Sequence, residues 1–317
     1  MTTDISTHDA TEDPRNLDLK IYVNGNVVHR DDAKVSVYDS GFLLGDGVWE
    51  GLRLYNGRWA FLEEHLDRLF EAAIAIDLDI GMSRADVISA LRQTAAANNM
   101  TDGAHARLMV TRGVKAKPFQ DPRLSKSGPT IVIIMEFSTP VVGRAIRLHT
   151  TPFHRGLPLT QDPKLNSHSK LNCILAGIHA QKAGADEALM LDPQGFVNTT
   201  NSCNFFIVRK GEIWTSTGDY CMNGITRRKV IEVCRDNGIA VYERNFSLVD
   251  AYGAQEAFIT GTFGAQTPVS EIDGRMIGAR MIDAPEPGAP EKDTGDSGPV
   301  TQRIQQLYKA LIERDFK

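Results

Sequence analysis

The sequence predicts an α+β protein with two lobes. Its 317 residues are about twice the length of an average domain. Segments typical of strands and segments with apolar residues at helical spacing are mixed along both halves of the chain. A Ser-Thr-Pro stretch near the middle has the composition of a linker. These observations predict a disordered tail at residues 1–18, a small lobe at 19–138, a linker at 139–144 and a larger lobe at 145–317.

The first lobe begins with a predicted β-hairpin. Residues 21–23 are apolar, and the Asn24-Gly25 dipeptide that follows them favours a two-residue hairpin turn. The apolar spacing then predicts two helices, one over residues 62–77 and one that Ser83 caps. The remaining strands are predicted at residues 47–55, 58–61, 106–111 and 130–137, and a basic loop at 115–128.

The second lobe mixes strands and helices in the same way. Strands are predicted at residues 145–151, 187–191, 203–209, 239–242 and 257–260. Helices are predicted at residues 170–182, 226–237 and 300–315. Residues 283–297 are rich in proline, glycine and acidic side chains, which predicts a mobile excursion from the lobe.

Composition excludes several classes of protein. Hydrophobic residues make up 42% of the chain and charged residues 24%, which is typical of a folded protein and not of a disordered one. A net charge of -5 argues against a nucleic-acid-coating protein. No apolar run reaches the roughly 18 residues that a membrane span needs. The four cysteines lack metal-ligand spacing, which favours reduced thiols in the cytoplasm and predicts no metal site.

Common catalytic motifs, such as the P-loop or GxSxG, are absent. Six other stretches occur in a distinctive order: GDGVWEGLRLYNG (45–57), EEHLDRL (63–69), AGADEALMLDPQGFV (183–197), NGITRRKV (223–230), ITGTFGAQTPV (259–269) and GPVTQRIQQLY (298–308). Through them the sequence resembles the class IV aminotransferases. These are fold-type IV pyridoxal-phosphate (PLP) enzymes that include branched-chain and D-amino-acid aminotransferases. The resemblance runs from about residue 21 to residue 311.

The resemblance implies a two-lobed fold-type IV enzyme that moves an amino group between an amino acid or amine and a 2-keto acid. It implies PLP in the cleft between the lobes and a cytoplasmic homodimer, since the family's active sites border the dimer interface. The implied phosphate contacts suit an anion, because they combine a guanidinium with the start of a helix. They are Arg68, Gly224, Ile225, Thr226, Gly261 and Thr262.

The resemblance also implies residues near the substrate. Arg53 is a candidate for the substrate carboxylate, with a structural ion pair as the alternative. Lys117 falls where D-amino-acid aminotransferases carry an arginine, although the loop here lacks their RxH pattern. Tyr38 and Trp49 are candidates for the pocket wall, with a place in the core as the alternative.

Two positions depart from the family pattern at the cofactor. Asn166 occupies the place of the Schiff-base lysine, and an amide cannot form an imine. Lys170 is the favoured substitute and Lys164 the second candidate, unless both lie on the surface. Thr199 occupies the place of the glutamate that pairs with the pyridine nitrogen, and a hydroxyl stabilises a pyridinium less well than a carboxylate.

Three hypotheses follow from these departures. The first is a PLP-dependent aminotransferase, which needs a lysine within reach of the cofactor. The second is a PLP lyase that uses the same cleft. The third is a diverged family member that binds ligands or catalyses a reaction without PLP. The retained phosphate contacts favour the first two hypotheses, and Asn166 and Thr199 favour the third.

Overall fold

The computed structural model describes residues 12–140, 144–278 and 297–315. The elements of the first half, in chain order, are β1 (Lys20–Val23), β2 (Asn26–His29), α1 (Ser40–Leu44), β3 (Gly47–Tyr55), β4 (Arg58–Trp59), α2 (Leu62–Ala75), α3 (Arg84–Ala97), β5 (Ala104–Thr111) and β6 (Thr130–Phe137). Short 3-10 helices cover Pro14–Asp18 and Pro122–Leu124.

The second half contains most of the strands. Its elements are β7 (Ile146–Thr150), α4 (Pro158–Gln161), α5 (Leu171–Lys182), β8 (Glu187–Leu191), β9 (Val197–Thr200), β10 (Asn204–Arg209), β11 (Glu212–Thr215), α6 (Ile225–Asp236), β12 (Val241–Glu243), α7 (Leu248–Tyr252), β13 (Glu256–Gly261), β14 (Ala265–Ile272), β15 (Arg275–Met276) and α8 (Pro299–Asp315). No helix in the described part of the chain is long and apolar enough to cross a membrane.

The first six strands form one antiparallel sheet in the order β2-β1-β6-β5-β3-β4. The predicted hairpin is confirmed, because Asn24 (φ 47°) and Gly25 (φ 91°) both adopt the positive φ that a type I′ turn requires. The apolar sides of α2 and α3 pack on the sheet, and Leu52, Leu66 and Leu91 are fully buried between them.

The second sheet has nine strands, eight of them in the order β12-β11-β10-β13-β14-β7-β8-β9, with β15 beside β14. Strand β9 pairs with β8 on one side and, through Thr199 and Asn204, with β10 on the other. This second pairing closes a ring of six strands. Thr199 therefore lies at the joint of the ring, where the ladder is one residue pair long.

A segment of the second half also pairs with the first sheet. Strand β4 pairs with the far end of β3, which leaves an edge along the first half of β3. Residues 166–168 fill that edge: Trp49 N donates to Asn166 O (3.0 Å), and His168 N donates to Gly47 O (2.9 Å). Asn166, which the resemblance aligns with the Schiff-base lysine, is thereby held against β3.

The prediction of a disordered tail is wrong for residues 12–18. Asp13 caps the 3-10 helix Pro14–Asp18 by accepting from Arg15 N. The Asn16 carboxamide makes two hydrogen bonds to the main chain of Phe137, at 2.8 and 2.9 Å. Of the other predicted irregular segments, residues 1–11, half of the linker (141–143) and nearly all of the excursion lie outside the described residues.

Candidate active site

A cleft lies between the two sheets and consists of two adjoining cavities of about 140 and 610 Å³. Trp49 of β3 and Arg107 of β5 contribute to both cavities from the first sheet. From the second half of the chain, Arg155, Asn166, Ser202 and Met222 line both. The cleft is thus a single site, and we call the two parts the small and the large cavity.

Arg68 reaches the small cavity from α2. Its Nε and Nη2 atoms each donate to one oxygen of Glu50 at 2.7 Å, and His65 Nδ1 lies 2.7 Å from the same carboxylate. Burial alone would raise the pKa of Glu50, but Arg68 and His65 outweigh burial and lower the pKa below its usual range. The third nitrogen, Nη1, is buried and has no hydrogen-bond partner among the described residues. Such a charged donor, held in place by the other two nitrogens, can pair with an anion.

The start of α6 contributes backbone donors to the same cavity. Gly224 is the N-cap, and the first N–H groups of a helix have no partner within the helix. A Cβ at Gly224 would lie 2.3 Å from Asn204 Oδ1, so only glycine allows this close approach. Ile225, Thr226, Gly261 and Thr262 complete the wall of the small cavity. The structure therefore brings all six predicted phosphate contacts to one cavity.

Lys170 is, among the described residues, the only lysine that lines either of these two cavities. It immediately precedes α5, and its Nζ lies 3.3 Å from Asn166 Oδ1 and 5.7 Å from the centre of the Trp49 ring. Asn166 itself is 2% exposed. Lys164, the other predicted candidate, is exposed and lines neither cavity. The structure thus places one of the two candidate lysines in the cleft.

The wall around Lys170 is positively charged. Arg107 lies over the Trp49 ring at 3.8 Å, and burial lowers its pKa. Arg155 Nη1 donates to Cys173 Sγ at 3.0 Å, while its buried Nε has no partner among the described residues. Burial, together with the guanidinium groups of Arg155, Arg107 and Arg68, lowers the pKa of Lys170 to about 8. A cleft of this charge suits anionic ligands.

Replacing Lys170 with methionine should stabilise the cofactor-free protein at neutral pH. The unfolded chain binds the Lys170 proton below the ordinary pKa of 10.5, whereas the folded chain binds it only below about 8. The cost of the buried charge is therefore absent well above pH 10.5, grows as the pH falls, and is complete below pH 8, where it is on the order of 3 kcal/mol. The free energy of unfolding of both chains, measured with guanidinium chloride as denaturant at about pH 7 and pH 10, tests this. A gain equal at both pH values would contradict it.

Thr199 lines the small cavity on β9 and is buried. Its hydroxyl donates to the Cys203 carbonyl oxygen at 2.7 Å, so its proton is already used within the protein. Next to it, Ser202 Oγ donates to the carboxylate of Glu187 at 2.8 Å, and Glu187 is buried on β8. The Glu187 carboxylate is thus separated from the cleft by the Ser202 side chain, and Thr199 itself has no carboxylate.

Three predicted substrate residues line neither the small nor the large cavity. Arg53 is 5% exposed and donates to the Ser138 carbonyl oxygen at 2.5 Å, while its buried Nε has no partner among the described residues. It lines a third cavity of about 10 Å³, which shares Ile225, Thr226 and Thr262 with the small cavity. Tyr38 is 47% exposed, and Lys117 lies on the exposed part of the loop between β5 and β6. Only Trp49 among the predicted substrate residues lines the cleft.

Sequence reasoning missed three basic side chains of the wall, namely His105, Arg107 and Arg155. A signal for the first two was present in the sequence. His105 and Arg107 are two residues apart on β5, so both point to one face of a strand whose other residues are largely apolar. Arg155 follows β7 in an irregular segment, where no periodicity indicates which way a side chain points.

Comparison with known proteins agrees with this architecture. Residues 47–272 match the model of the family "Amino-transferase class IV". The chain is 39% identical over 302 residues to "Branched-chain-amino-acid aminotransferase-like protein 2" of Arabidopsis thaliana, which covers 95% of this chain but only 51% of that protein. The chain thus spans about half the length of that relative.

Two further similarities cover nearly the whole of both chains. The "Branched-chain-amino-acid aminotransferase" of Pseudomonas aeruginosa is 33% identical over 306 residues, which is 92% of each protein. The solved structure of the branched-chain aminotransferase from the thermophilic archaeon Thermoproteus uzoniensis, with norvaline, has a TM-score of 0.79 at 28% identity and covers 94% of this chain and 96% of its own. These matches confirm the fold-type IV architecture. The chain therefore belongs to the class IV aminotransferase family.

Proposed function

We propose that the protein is a PLP-dependent aminotransferase that moves an amino group between an amino acid or amine and a 2-keto acid. One observation carries the proposal. Arg68 Nη1, buried and without a partner among the described residues, belongs to the small cavity, and Lys170 belongs to the adjoining large cavity, so one cleft offers a hydrogen-bond donor for an anion and a primary amine. The family and its named relatives support the same reaction class.

The residues of the small cavity fit the cofactor's phosphate. Arg68 Nη1 would donate to it, and the free N–H groups at the start of α6 would add backbone donors. Gly224 leaves the space that the Asn204 side chain occupies at this helix start. When bound, PLP supplies an electron sink and carries the amino group.

Lys170 would provide the reactive amine of this protein. With its pKa lowered to about 8, a useful fraction of Nζ is neutral near physiological pH. A group of this pKa can also accept and return a proton without a large energetic cost. Trp49 and the wall arginines would exclude water from Nζ, and Arg107 and Arg155 would attract carboxylates of the substrates.

Thr199 should make the protein a slow member of its class. The hydroxyl donates to the Cys203 carbonyl oxygen, so only its lone pairs face a ligand. A hydroxyl oxygen stabilises a positive charge less well than a carboxylate does. The proposal therefore includes a weaker pull on electrons than a glutamate at this position would provide.

The test is a set of paired assays on the purified full chain with added PLP. The donors are branched-chain and other amino acids of both configurations, and the acceptors are a range of 2-keto acids. The protein should consume the donor and form the matching keto acid in equal amounts. Borohydride reduction should fix PLP to the protein. Fixation without turnover would favour another PLP reaction. If neither fixation nor turnover is observed, the proposal is overturned.

We also propose a cytoplasmic homodimer. The four free cysteines support a reducing compartment. The support for the dimer is an exposed apolar stripe on α5 with helical spacing, formed by Leu171, Ile174, Leu175 and Ile178. Exposed apolar stripes of this kind are typical of interfaces. Because Lys170 immediately precedes α5, such an interface would lie beside the large cavity.

Replacing Ile174 with glutamate should dissociate the dimer. A carboxylate buried in an apolar interface would lose its hydration without gaining a partner, which is strongly unfavourable. Analytical ultracentrifugation should show the wild type at twice the mass of the variant. Ile74→Glu is the matched control, since Ile74 is an isoleucine of α2 with 78% exposure. A wild-type monomer, or a variant that stays dimeric, would exclude this interface.

A further inference from the structure

We propose that Asn166 is a positioning residue, and that its carboxamide oxygen orients the amine of Lys170 in the cleft. The inference deepens the proposed function, because it concerns the same amine. It assigns a task to the side chain that stands where the family resemblance expects a lysine.

The position of Asn166 is fixed by both its backbone and its side chain. Its main-chain oxygen accepts from Trp49 N at 3.0 Å, and its Nδ2 donates to Trp49 O at 2.7 Å. A carbonyl oxygen such as Trp49 O can pair only with a donor, so the amide nitrogen must face β3. The carboxamide oxygen is therefore forced to face the other way.

That direction leads to Lys170. Oδ1 of Asn166 lies 3.3 Å from Nζ, and Asn166 lines both cavities although it is 2% exposed. The stem of Lys170 starts at the residue before α5, and the Trp49 ring bounds Nζ on another side at 5.7 Å. One rigid acceptor and one aromatic face thus limit where a flexible lysine can place its amine.

The Asn166 oxygen also opposes the electrostatic effect of the charged groups around Lys170. The titratable groups that interact electrostatically with Lys170 are Arg68 of α2, Arg107 of β5, Arg155 after β7, His168 before α5 and Cys173 within α5. Three of these groups are guanidiniums, which repel an ammonium. The Asn166 oxygen favours the protonated amine by accepting from it. It therefore keeps Nζ inside the cleft in a state that can give and take a proton.

Competitive acetylation of the cofactor-free full chain measures this directly. Trace acetic anhydride is applied between about pH 6 and 11, and peptide mapping gives the labelling midpoint of Lys170. Lys164, exposed on the same segment, is the internal reference for reagent behaviour. Asn166→Asp keeps the shape, loses the Nδ2 donor to Trp49 O and adds a negative charge beside Nζ, so it should raise the midpoint by about one pH unit or more. Asn166→Leu removes the acceptor and should lower it.

Asn172→Asp is the matched control, because it adds the same charge two residues beyond Lys170, on an amide that donates to the His154 carbonyl oxygen. It should shift the midpoint by less than half as much. An unchanged midpoint in Asn166→Asp, or an equal shift in Asn172→Asp, would overturn the inference. If the variants do not fold, a crystal structure of the wild type decides: Nζ within about 3.5 Å of Oδ1 supports the inference, and Nζ turned to solvent overturns it.

Adding PLP separates this inference from the proposed function. Protection of Lys170 from acetylation by PLP tests the attachment of the cofactor. The midpoint shifts in the cofactor-free chain test the role of Asn166. Loss of protection with intact shifts would leave Asn166 as a positioning residue and would remove the proposed function.

Discussion

Replacing Lys170 with alanine should abolish covalent attachment of PLP and lower transaminase turnover by at least about 10²–10⁴-fold. This range is the usual contribution of one well-placed acid–base group, and loss of the covalent bond to PLP lowers turnover further. In the described part of the chain, no second lysine lines either cavity of the cleft. Borohydride reduction followed by peptide mapping should find the phosphopyridoxyl group on Lys170 in the wild type and on no residue in the variant.

Lys164→Ala is the matched control for this experiment. Lys164 lies on the same segment and carries the same charge, but it is exposed and lines neither cavity. Its replacement should leave both the label and the turnover within about twofold of the wild type, as is usual for surface changes. A label on Lys164 or on any other lysine of the wild type would show that residues 162–176 have been aligned wrongly with the family.

The elements that sequence analysis predicted well are those with strong local signals. The Asn24-Gly25 turn and the Ser83 cap each have a side chain or a φ requirement that few other structures satisfy, and both are confirmed. Strand β3 and strand β6 are predicted to the residue, because long apolar runs end at turn residues. Their pairing order was not predicted, since it depends on contacts between distant segments.

The elements that were missed are short or polar. Helices α1, α4 and α7 have four or five residues each, which is too few to show a helical period. Strand β9 reads Val-Asn-Thr-Thr, yet all four residues are buried and each of the three polar side chains donates to a main-chain carbonyl oxygen. Its polarity therefore does not indicate an exposed surface, and that distinction requires the three-dimensional structure.

The residues of the site likewise include some that the sequence could predict and some that it could not. The phosphate contacts were predicted through the resemblance, and the structure gathers them around one cavity. The spacing of Lys164 and Lys170 could not decide between them, because each required an assumption about strand or helix geometry. The structure separates them through the pairing of residues 166–168 with β3, a contact between segments nearly 120 residues apart. The position of Arg155 in the cleft wall also depends on contacts between distant segments.

Arg68 is harder to test than Lys170, because it also neutralises Glu50. Glu50 is 1% exposed, and Arg68 supplies two of its hydrogen bonds. Removing one partner of a buried ion pair usually costs about 3–5 kcal/mol of stability. The single variant Arg68→Met would therefore mix unfolding with loss of the phosphate contact. Glu50→Gln in the same chain removes the stranded charge while its amide remains next to His65.

The double variant Glu50→Gln/Arg68→Met should bind PLP about 30- to 150-fold more weakly than Glu50→Gln alone. This range corresponds to about 2–3 kcal/mol, the value of a hydrogen bond to a charged group. Affinity for pyridoxal, which has no phosphate, should be equal in the two chains, and equilibrium titrations followed by absorbance give both constants. Arg112→Met removes an arginine of the same 16% exposure that pairs with Asp46 and lines none of these cavities, so it should leave the preference for PLP over pyridoxal unchanged. If the double variant retains that preference, Arg68 does not contact the phosphate, and the orphaned Nη1 requires another ligand.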